Sequence, residues 1–253
     1  MIRHERLNGG VLRVEIDNPA RRNALDIPMF EALAALWPRL GSDRSVRAIV
    51  VTGAGDRAFC AGADLTANVT DHPGFADLVA RALLKTDLMV KPLIAAINGH
   101  CLAGGLELAL AADIRIASRA ASFGLPEVKW GLIPSAGGTM KLVDQIGYAA
   151  AMDLLLTGRM IDAADAARIG LVTEVCDPSE VWRRALERAE MIAAASPHAV
   201  RAAKQAALSA RAARYAVQEP VEQALVAELW ATGHVNIGAA AFAAKRAPVY
   251  GDD

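Results

Sequence analysis

Aromatic side chains make up only 5% of the 253-residue chain, and cysteine occurs three times. Cys60, Cys101 and Cys176 are too few and too odd a set for a disulfide framework, so a reducing compartment, the cytoplasm, is expected. Neither sign of charge is in excess: 27 Lys and Arg face 28 Asp and Glu, a formal net charge of -1. A general nucleic-acid binder carries a basic surplus, so that class is disfavoured. No apolar run approaches the ~18 residues of a membrane span; Asp113 and Arg115, for example, cut the run around 106–117. The opening MIRHERLNGG has no apolar segment of the kind a signal peptide needs. His4, His72, His100, His198 and His234 never pair at metal-ligand spacing, so no metal site is expected. A Walker lysine and a G-x-S-x-G elbow are also missing.

What the chain does have is 54% hydrophobic residues, much of it alanine. With so little net charge, that composition excludes a disordered chain. The length can bury a substantial core, in one large domain or one domain with an appendage. Many alanines and few aromatics predict close helix packing, and more apolar surface than one subunit buries.

The first half reads as strands alternating with helices. Val11–Ile16 alternates apolar and polar residues as a strand does. Residues 28–40 have helical spacing behind Pro28, 48–52 form an apolar strand, and 54–70 read as loop. A helix over 76–88, a strand over Leu93–Ile97, a helix over 104–112 and a strand over 114–117 follow. This recurrence predicts an α/β layered fold. In the second half, short helices over 139–146, 149–156 and 163–169 precede a last strand over 171–175. Helices over Val181–Ala194, 198–213, 221–231 and 235–246 complete the chain, and the tail from about residue 197 is the candidate subdomain.

Gly53-Ala54-Gly55-Asp56-Arg57-Ala58 matches G-x-G-x-x-A after a strand. A dinucleotide fingerprint would open directly into a helix, whereas this chain enters a second glycine turn, so a nicotinamide site is disfavoured. Two other segments carry chemistry. Between Asn98 and Ala109 a strand runs through Gly104-Gly105 into a helix. Such a turn presents backbone N–H groups at a helix start, suited to an anion or a developing oxyanion. Glu107 then sits among Leu106, Leu108, Ala109 and Leu110, where desolvation would raise its pKa toward acid–base use. The same local sequence serves equally a Glu that complements the positive end of the helix. Glu127 follows Pro126 beside a second apolar cluster, as a solvated loop carboxylate or as the other half of an acid–base pair.

With these segments in hand, the chain resembles the enoyl-CoA hydratase/isomerase (crotonase) superfamily over nearly its whole length. The landmarks occur in order: Asn18-Pro19 with Asn23-Ala24-Leu25; Ala58-Phe59-Cys60-Ala61-Gly62-Ala63-Asp64-Leu65; Lys91-Pro92 through Asn98-Gly99; and Ala103-Gly104-Gly105-Leu106-Glu107-Leu108-Ala109. Then come Phe123-Gly124-Leu125-Pro126-Glu127, Gly131-Leu132-Ile133-Pro134, Gly137-Gly138-Thr139, and finally Phe242, Lys245-Arg246 and Pro248. The resemblance implies a spiral of ββα units over 1–196 and a helical trimerisation region over 197–253. It implies acyl-CoA thioester substrates, with coenzyme A as part of the substrate, no separate cofactor, and a trimer or dimer of trimers.

By the same resemblance, the Ala63 and Gly104 backbone N–H groups form the oxyanion hole and Glu107 and Glu127 are the catalytic acids. Arg22, Ala24, Ala61, Gly62, Asp64, Leu65, Gly105 and Lys245 are implied to contact the substrate or its CoA. Thr66–Leu84 corresponds to the family's variable, pocket-lining stretch, and Ser135 stands where a glycine is common. Retention of both acids favours hydration of a trans-2-enoyl-CoA. Enoyl-CoA isomerisation, a specialised dehydration, thioester hydrolysis, and a non-catalytic or RNA-binding homologue are the alternatives.

Overall fold

The computed structural model describes residues 1–64, 74–85 and 87–251. Among them are ten strands: β1 (Ile2–Arg6), β2 (Val11–Ile16), β3 (Ala48–Gly53), β4 (Ala58–Cys60), β5 (Leu93–Ile97), β6 (His100–Leu102), β7 (Ile114–Ser118), β8 (Ser122–Gly124), β9 (Ile161–Asp162) and β10 (Glu174–Cys176). The helices are α1 (Ile27–Ser42), α2 (Phe75–Ala82), α3 (Gly104–Ala111), α4 (Gly138–Ile146), α5 (Tyr148–Thr157), α6 (Ala163–Arg168), α7 (Val181–Ala194), α8 (Pro197–Ala231) and α9 (His234–Ala243).

The strands divide between two sheets. One runs β1-β2-β3-β5-β7-β10, parallel except for the β1–β2 hairpin; the other runs β4-β6-β8-β9. Each turn of the chain lays one long strand in the first sheet and one short strand in the second. It does so at β3–β4, β5–β6 and β7–β8. Helix α3 follows β5–β6 directly and α2 is the next described helix after β3–β4, so the ββα spiral implied by the resemblance is the observed architecture.

The alanine content has a structural use. The first sheet faces α7 with Val11, Ala48, Val50, Ile94, Ala96 and Ile116, against Val181, Ala185, Ala189 and Ala193. Small residues four apart on one helix face let the helix approach the sheet closely. The opposite face of the sheet holds bulkier side chains, such as Ile49, Val51, Leu93 and Ile97, in the main core with Phe30, Phe59 and Phe123. Alternation along β3 thus serves two cores.

Several expectations need correction. The segment over 54–70 contains β4; three residues between glycine turns are too few to show a two-residue period. For the same reason β6, β8 and β9 escaped the sequence pattern. The helix expected over 76–88 ends at Ala82, because Leu84 takes a left-handed conformation at φ 55°. The last strand is Glu174–Cys176 rather than 171–175, with Leu171 and Val172 buried in the approach to it. Residues 198–213 and 221–231 belong to one helix, α8, which runs through Pro220. That proline lies on an exposed face, while Tyr215 and Glu222 on either side are buried and anchor the helix to the body.

Helix α8 docks through ion pairs: Lys204–Asp113 at 2.7 Å, Arg211–Asp144 at 2.6 Å and Lys85–Glu222 at 2.8 Å. Helix α9 folds back on the 3-10 turn Pro126–Trp130. Phe242 meets Trp130 edge-on at 5.0 Å, and the Tyr250 hydroxyl donates to the Lys129 carbonyl at 3.1 Å. The approach is so close that a Cβ on Gly238 would stand 1.9 Å from the Trp130 carbonyl oxygen. Gly238→Ala is therefore expected to cost roughly 1–3 kcal/mol in urea unfolding, as overpacked sites do. Unchanged stability would contradict this packing.

Candidate active site

Two turns of the spiral meet at glycines. Gly62 has φ 94°, and a Cβ there would lie 2.8 Å from Ala103 Cβ and 3.2 Å from the Gly104 nitrogen. A Cβ on Gly105 would lie 2.2 Å from the Cys60 carbonyl oxygen. Only glycine allows such an approach of backbone to backbone.

The local bonds leave Ala63 free to present its amide. Leu25 N donates to the Gly62 carbonyl and Asp64 N donates to the Leu25 carbonyl, both at 2.8 Å. Ala63, between them, directs its own N–H away from Leu25. On the facing turn, Ala103 sits at φ 50° and ψ −130° as the N-cap of α3. This conformation costs an alanine ~1–3 kcal/mol, and it starts the helix with the Gly104 N–H lacking a carbonyl one turn earlier. The structure thus brings the turns of Ala63 and Gly104 side by side.

Glu107 lies on the first turn of α3 and is itself buried, and the other buried residues of that helix are glycine or apolar. The carboxylate is 4% exposed. Its Oε1 accepts from Ala136 N at 2.7 Å and Gly138 N at 2.9 Å. Its Oε2 lies 4.0 Å from where a Cβ on Gly104 would stand, facing the Gly104 turn. Burial pushes its pKa up to about 7 against the pull of those two N–H bonds; Glu222 adds to the rise and Lys141 opposes it.

Glu127 comes from a different element, the 3-10 turn held by α9. Its Oε2 is buried without a hydrogen-bond partner among the described residues. Burial, and then the nearby Glu107 carboxylate, hold its pKa well above the usual range. The two acids expected to pair are therefore brought into electrostatic contact from α3 and the Pro126–Trp130 turn.

The remaining predicted residues fall into three groups. Ala61, Gly62, Asp64 and Gly105 lie in the two meeting turns. Arg22 and Ala24 reach them through the Arg22 carbonyl, which accepts from Ala61 N at 3.2 Å, and through buried Asn23, which donates to the Ala54 and Ala58 carbonyls. Arg22 itself is exposed in a left-handed conformation. Lys245 lies beyond the end of α9 rather than on the last helix, exposed, with φ 52°. Among the described residues, no hydrogen bond or ion pair joins it to either acid. Leu65 lies outside the described residues, as does much of the 66–84 stretch.

Sequence reasoning missed the groups behind Glu107. Ala136 and Gly138 supply its backbone donors, and Lys141, Glu222 and Lys85 form a buried charged set beyond them. The Gly137-Gly138 pair was visible as a landmark, but nothing local marks Lys141 or Lys85 as buried. No cluster of His, Cys, Asp or Glu among the described residues could hold a metal ion. No described helix is long and apolar enough to cross a membrane.

The ββα spiral thus carries a buried carboxylate beside a glycine-built backbone turn. The family model for enoyl-CoA hydratase/isomerase matches residues 6–253, and the chain belongs to that family. It is 38% identical over 247 residues to the enoyl-CoA hydratase EchA19 of Mycobacterium tuberculosis, covering 95% of this chain and 92% of that protein. It is 39% identical to the (E)-benzylidenesuccinyl-CoA hydratase of Thauera aromatica, covering 95% of each. The crystal structure of carnitinyl-CoA hydratase from Mycobacterium avium superposes with a TM-score of 0.89 at 39% identity, covering 100% of this chain and 98% of that one.

The raised acid has a consequence for stability. Glu107 rises from its ordinary 4.5 to about 7, so between those values the folded chain binds a proton that the unfolded chain has lost. Stability contributed by this group falls as pH rises through that window and stays low above it. Glu107→Gln removes the effect and should gain up to about 3 kcal/mol over wild type between pH 5 and pH 8. Paired urea titrations measure this; a flat difference would contradict a buried ionisable carboxyl.

Proposed function

We propose that the protein is an enoyl-CoA hydratase that reversibly adds water to a trans-2-enoyl-CoA, giving a 3-hydroxyacyl-CoA. One observation supports the reading: the Glu107 Oε2 faces the Gly104 turn, and Glu127, from a separate element, is near enough for the Glu107 charge to raise its pKa. Two coupled carboxyls whose pKa values are both raised titrate as a unit and can keep one member protonated while the other is ionised. That is what addition of water across a double bond requires.

In this mechanism the thioester oxygen accepts from the Ala63 and Gly104 N–H groups. Glu107 and Glu127 hold the water. As water adds at C3, one carboxylate takes its proton and the electrons move toward the thioester oxygen. C2 is then protonated and the carbonyl re-forms. Each oxyanion donor contributes ~3–4 kcal/mol to the transition state. Arg22, Ala24, Ala61, Gly62, Asp64, Leu65, Gly105 and Lys245 are assigned to the substrate and its CoA. Residues 1–196 form the site-bearing unit and 197–253 the assembly region.

Supporting assembly, α8 exposes Val217, Val221 and Leu225 at four-residue intervals, one apolar stripe along a helix face. We assign this stripe to contacts between copies in a trimer or a dimer of trimers. Three free thiols, two of them buried, fit a reducing compartment, and the cytoplasm is the proposed location.

Hydration of crotonyl-CoA, followed as loss of enoyl-thioester absorbance, is the direct test. Glu107→Gln and Glu127→Gln are each expected to lower kcat at least ~100-fold. Full activity in both variants would refute the acid–base assignment, and product masses across a panel of acyl-CoAs separate hydration from isomerisation or hydrolysis. Sedimentation at micromolar concentration should give a trimer or hexamer; a stable monomer would refute the assembly.

A further inference from the structure

Behind Glu107 lies a set of charges that the hydration chemistry does not use. Lys141 of α4 is 1% exposed, and its Nζ donates to the Leu84 carbonyl at 2.5 Å. One carbonyl is a single acceptor for a group with three donors, so a buried ammonium here depends on neighbouring negative charge: burial pulls the Lys141 pKa down to about 7, and Glu107 and then Glu222 hold it up. The geometry supplies that charge. A Cβ on Gly137 would lie 3.2 Å from Lys141 Nζ, and one on Gly138 would lie 3.1 Å from Glu107 Oε1. The ammonium and the carboxylate therefore flank two consecutive glycines, in the space their missing side chains leave.

The same ammonium reaches the oxyanion side. Leu84 is held at φ 55°, a conformation that disfavours leucine. Its neighbour Leu83 places Cδ1 3.1 Å from where a Cβ on Gly104 would stand. The bond from Lys141 to the Leu84 carbonyl fixes this turn at its strained residue. Next in sequence, Lys85 pairs with Glu222 at 2.8 Å and Glu219 at 3.3 Å, while Thr139 Oγ1 donates to the other Glu222 oxygen.

We propose that Lys141 is a positioning residue for the reaction: its ammonium balances the Glu107 carboxylate across the Gly137–Gly138 turn and pins the 83–85 turn against Gly104. The proposal rests on the hydratase reading of the site. The charged groups facing Lys141 are Glu107 from α3, Glu222 and Arg211 from α8, and Lys85 from the turn after α2. Those facing Glu107 include Lys141, Glu222 and the Glu127 carboxyl. Lys141 and Glu222 act on Glu107 with opposite sign. The cation lowers its pKa and the anion raises it.

Opposite signs make the test specific. Lys141→Met, Lys141→Arg and Glu222→Gln are assayed for crotonyl-CoA hydration from pH 5 to pH 9, with circular dichroism to verify folding. Lys141→Met should move the acid limb of kcat/KM up by roughly one pH unit. It should also lower kcat roughly tenfold near neutrality with KM little changed. Glu222→Gln should move the limb down, and Lys141→Arg should restore it toward wild type. Loosened packing alone would lower activity without shifting the limb in opposite directions. Folded variants with an unmoved limb, or shifts of the same sign, overturn the proposal. Should Lys141→Met fail to fold, the Glu222→Gln and Lys141→Arg limbs decide it. If wild-type protein hydrates no enoyl-CoA, the hydratase reading fails separately. The same charge coupling is then read from the pH dependence of unfolding, whose window should move up without Lys141 and down without Glu222; an unmoved window overturns it.

Discussion

A carboxylate closed off from water must be hydrogen-bonded, balanced by charge, or protonated. Glu107 meets that requirement, and much of the structure around it follows. Its two donors are the Ala136 and Gly138 amides, so the chain must return after β8 and bring residues 136–138 over the first turn of α3. A Cβ on Gly138 would meet Pro134 Cβ at 2.6 Å, so that return has no room for a side chain. Helix α4 then starts at this turn and carries Lys141 back beneath it. At the other end, α3 can begin where it does only because Ala103 accepts a strained conformation and Gly62 leaves room for it. These local costs sit at one place, where strain is retained when the surroundings over-determine it.

The sequence made the long elements legible and left the short ones hidden. Runs such as Ala48–Gly53 and Leu93–Ile97 announce themselves because strands covered on both faces are apolar throughout. The second sheet is built from strands of two or three residues, which carry no periodic signal. Yet those strands deliver the glycine turns that form the site. The Glu107 and Glu127 segments could be singled out from their glycines and apolar neighbours, but not their convergence. The partners of Glu107 were harder still. Thr139 and Glu222 are 83 residues apart in the chain, and an exposed lysine and a buried one look alike in sequence. Pro220 shows the reverse error: the residue that most strongly suggests a break lies inside α8, on an exposed stretch where water can take up the carbonyl it leaves without an N–H.

The C-terminal helices reach both acids by different means. Helix α8 supplies Glu222, whose charge acts on Glu107. Helix α9 packs Gly238 and Phe242 against the backbone and ring of Trp130, three residues beyond Glu127. Neither contact depends on a second copy of the chain. A segment that also presents an apolar stripe to its surroundings therefore connects two surfaces.

The near-zero net charge also takes on a physical meaning. Overall charge predicts binding partners only when binding depends on long-range fields. Here the charges that matter are buried in opposed pairs, Lys85 with Glu222 and Glu219, and Lys141 facing Glu107, so each cation is offset within the fold. An oxyanion at the Ala63–Gly104 turns would be met by backbone dipoles, which contribute no formal charge. Such dipoles are fixed by the fold before any ligand arrives and need little reorganisation when charge develops. Low exposure strengthens them, since water that would screen the interaction is excluded. The same exclusion raises the pKa of the two acids. A dry, dipole-lined site and a pair of protonatable carboxyls are thus one physical condition seen from two sides, and neither requires a charged protein.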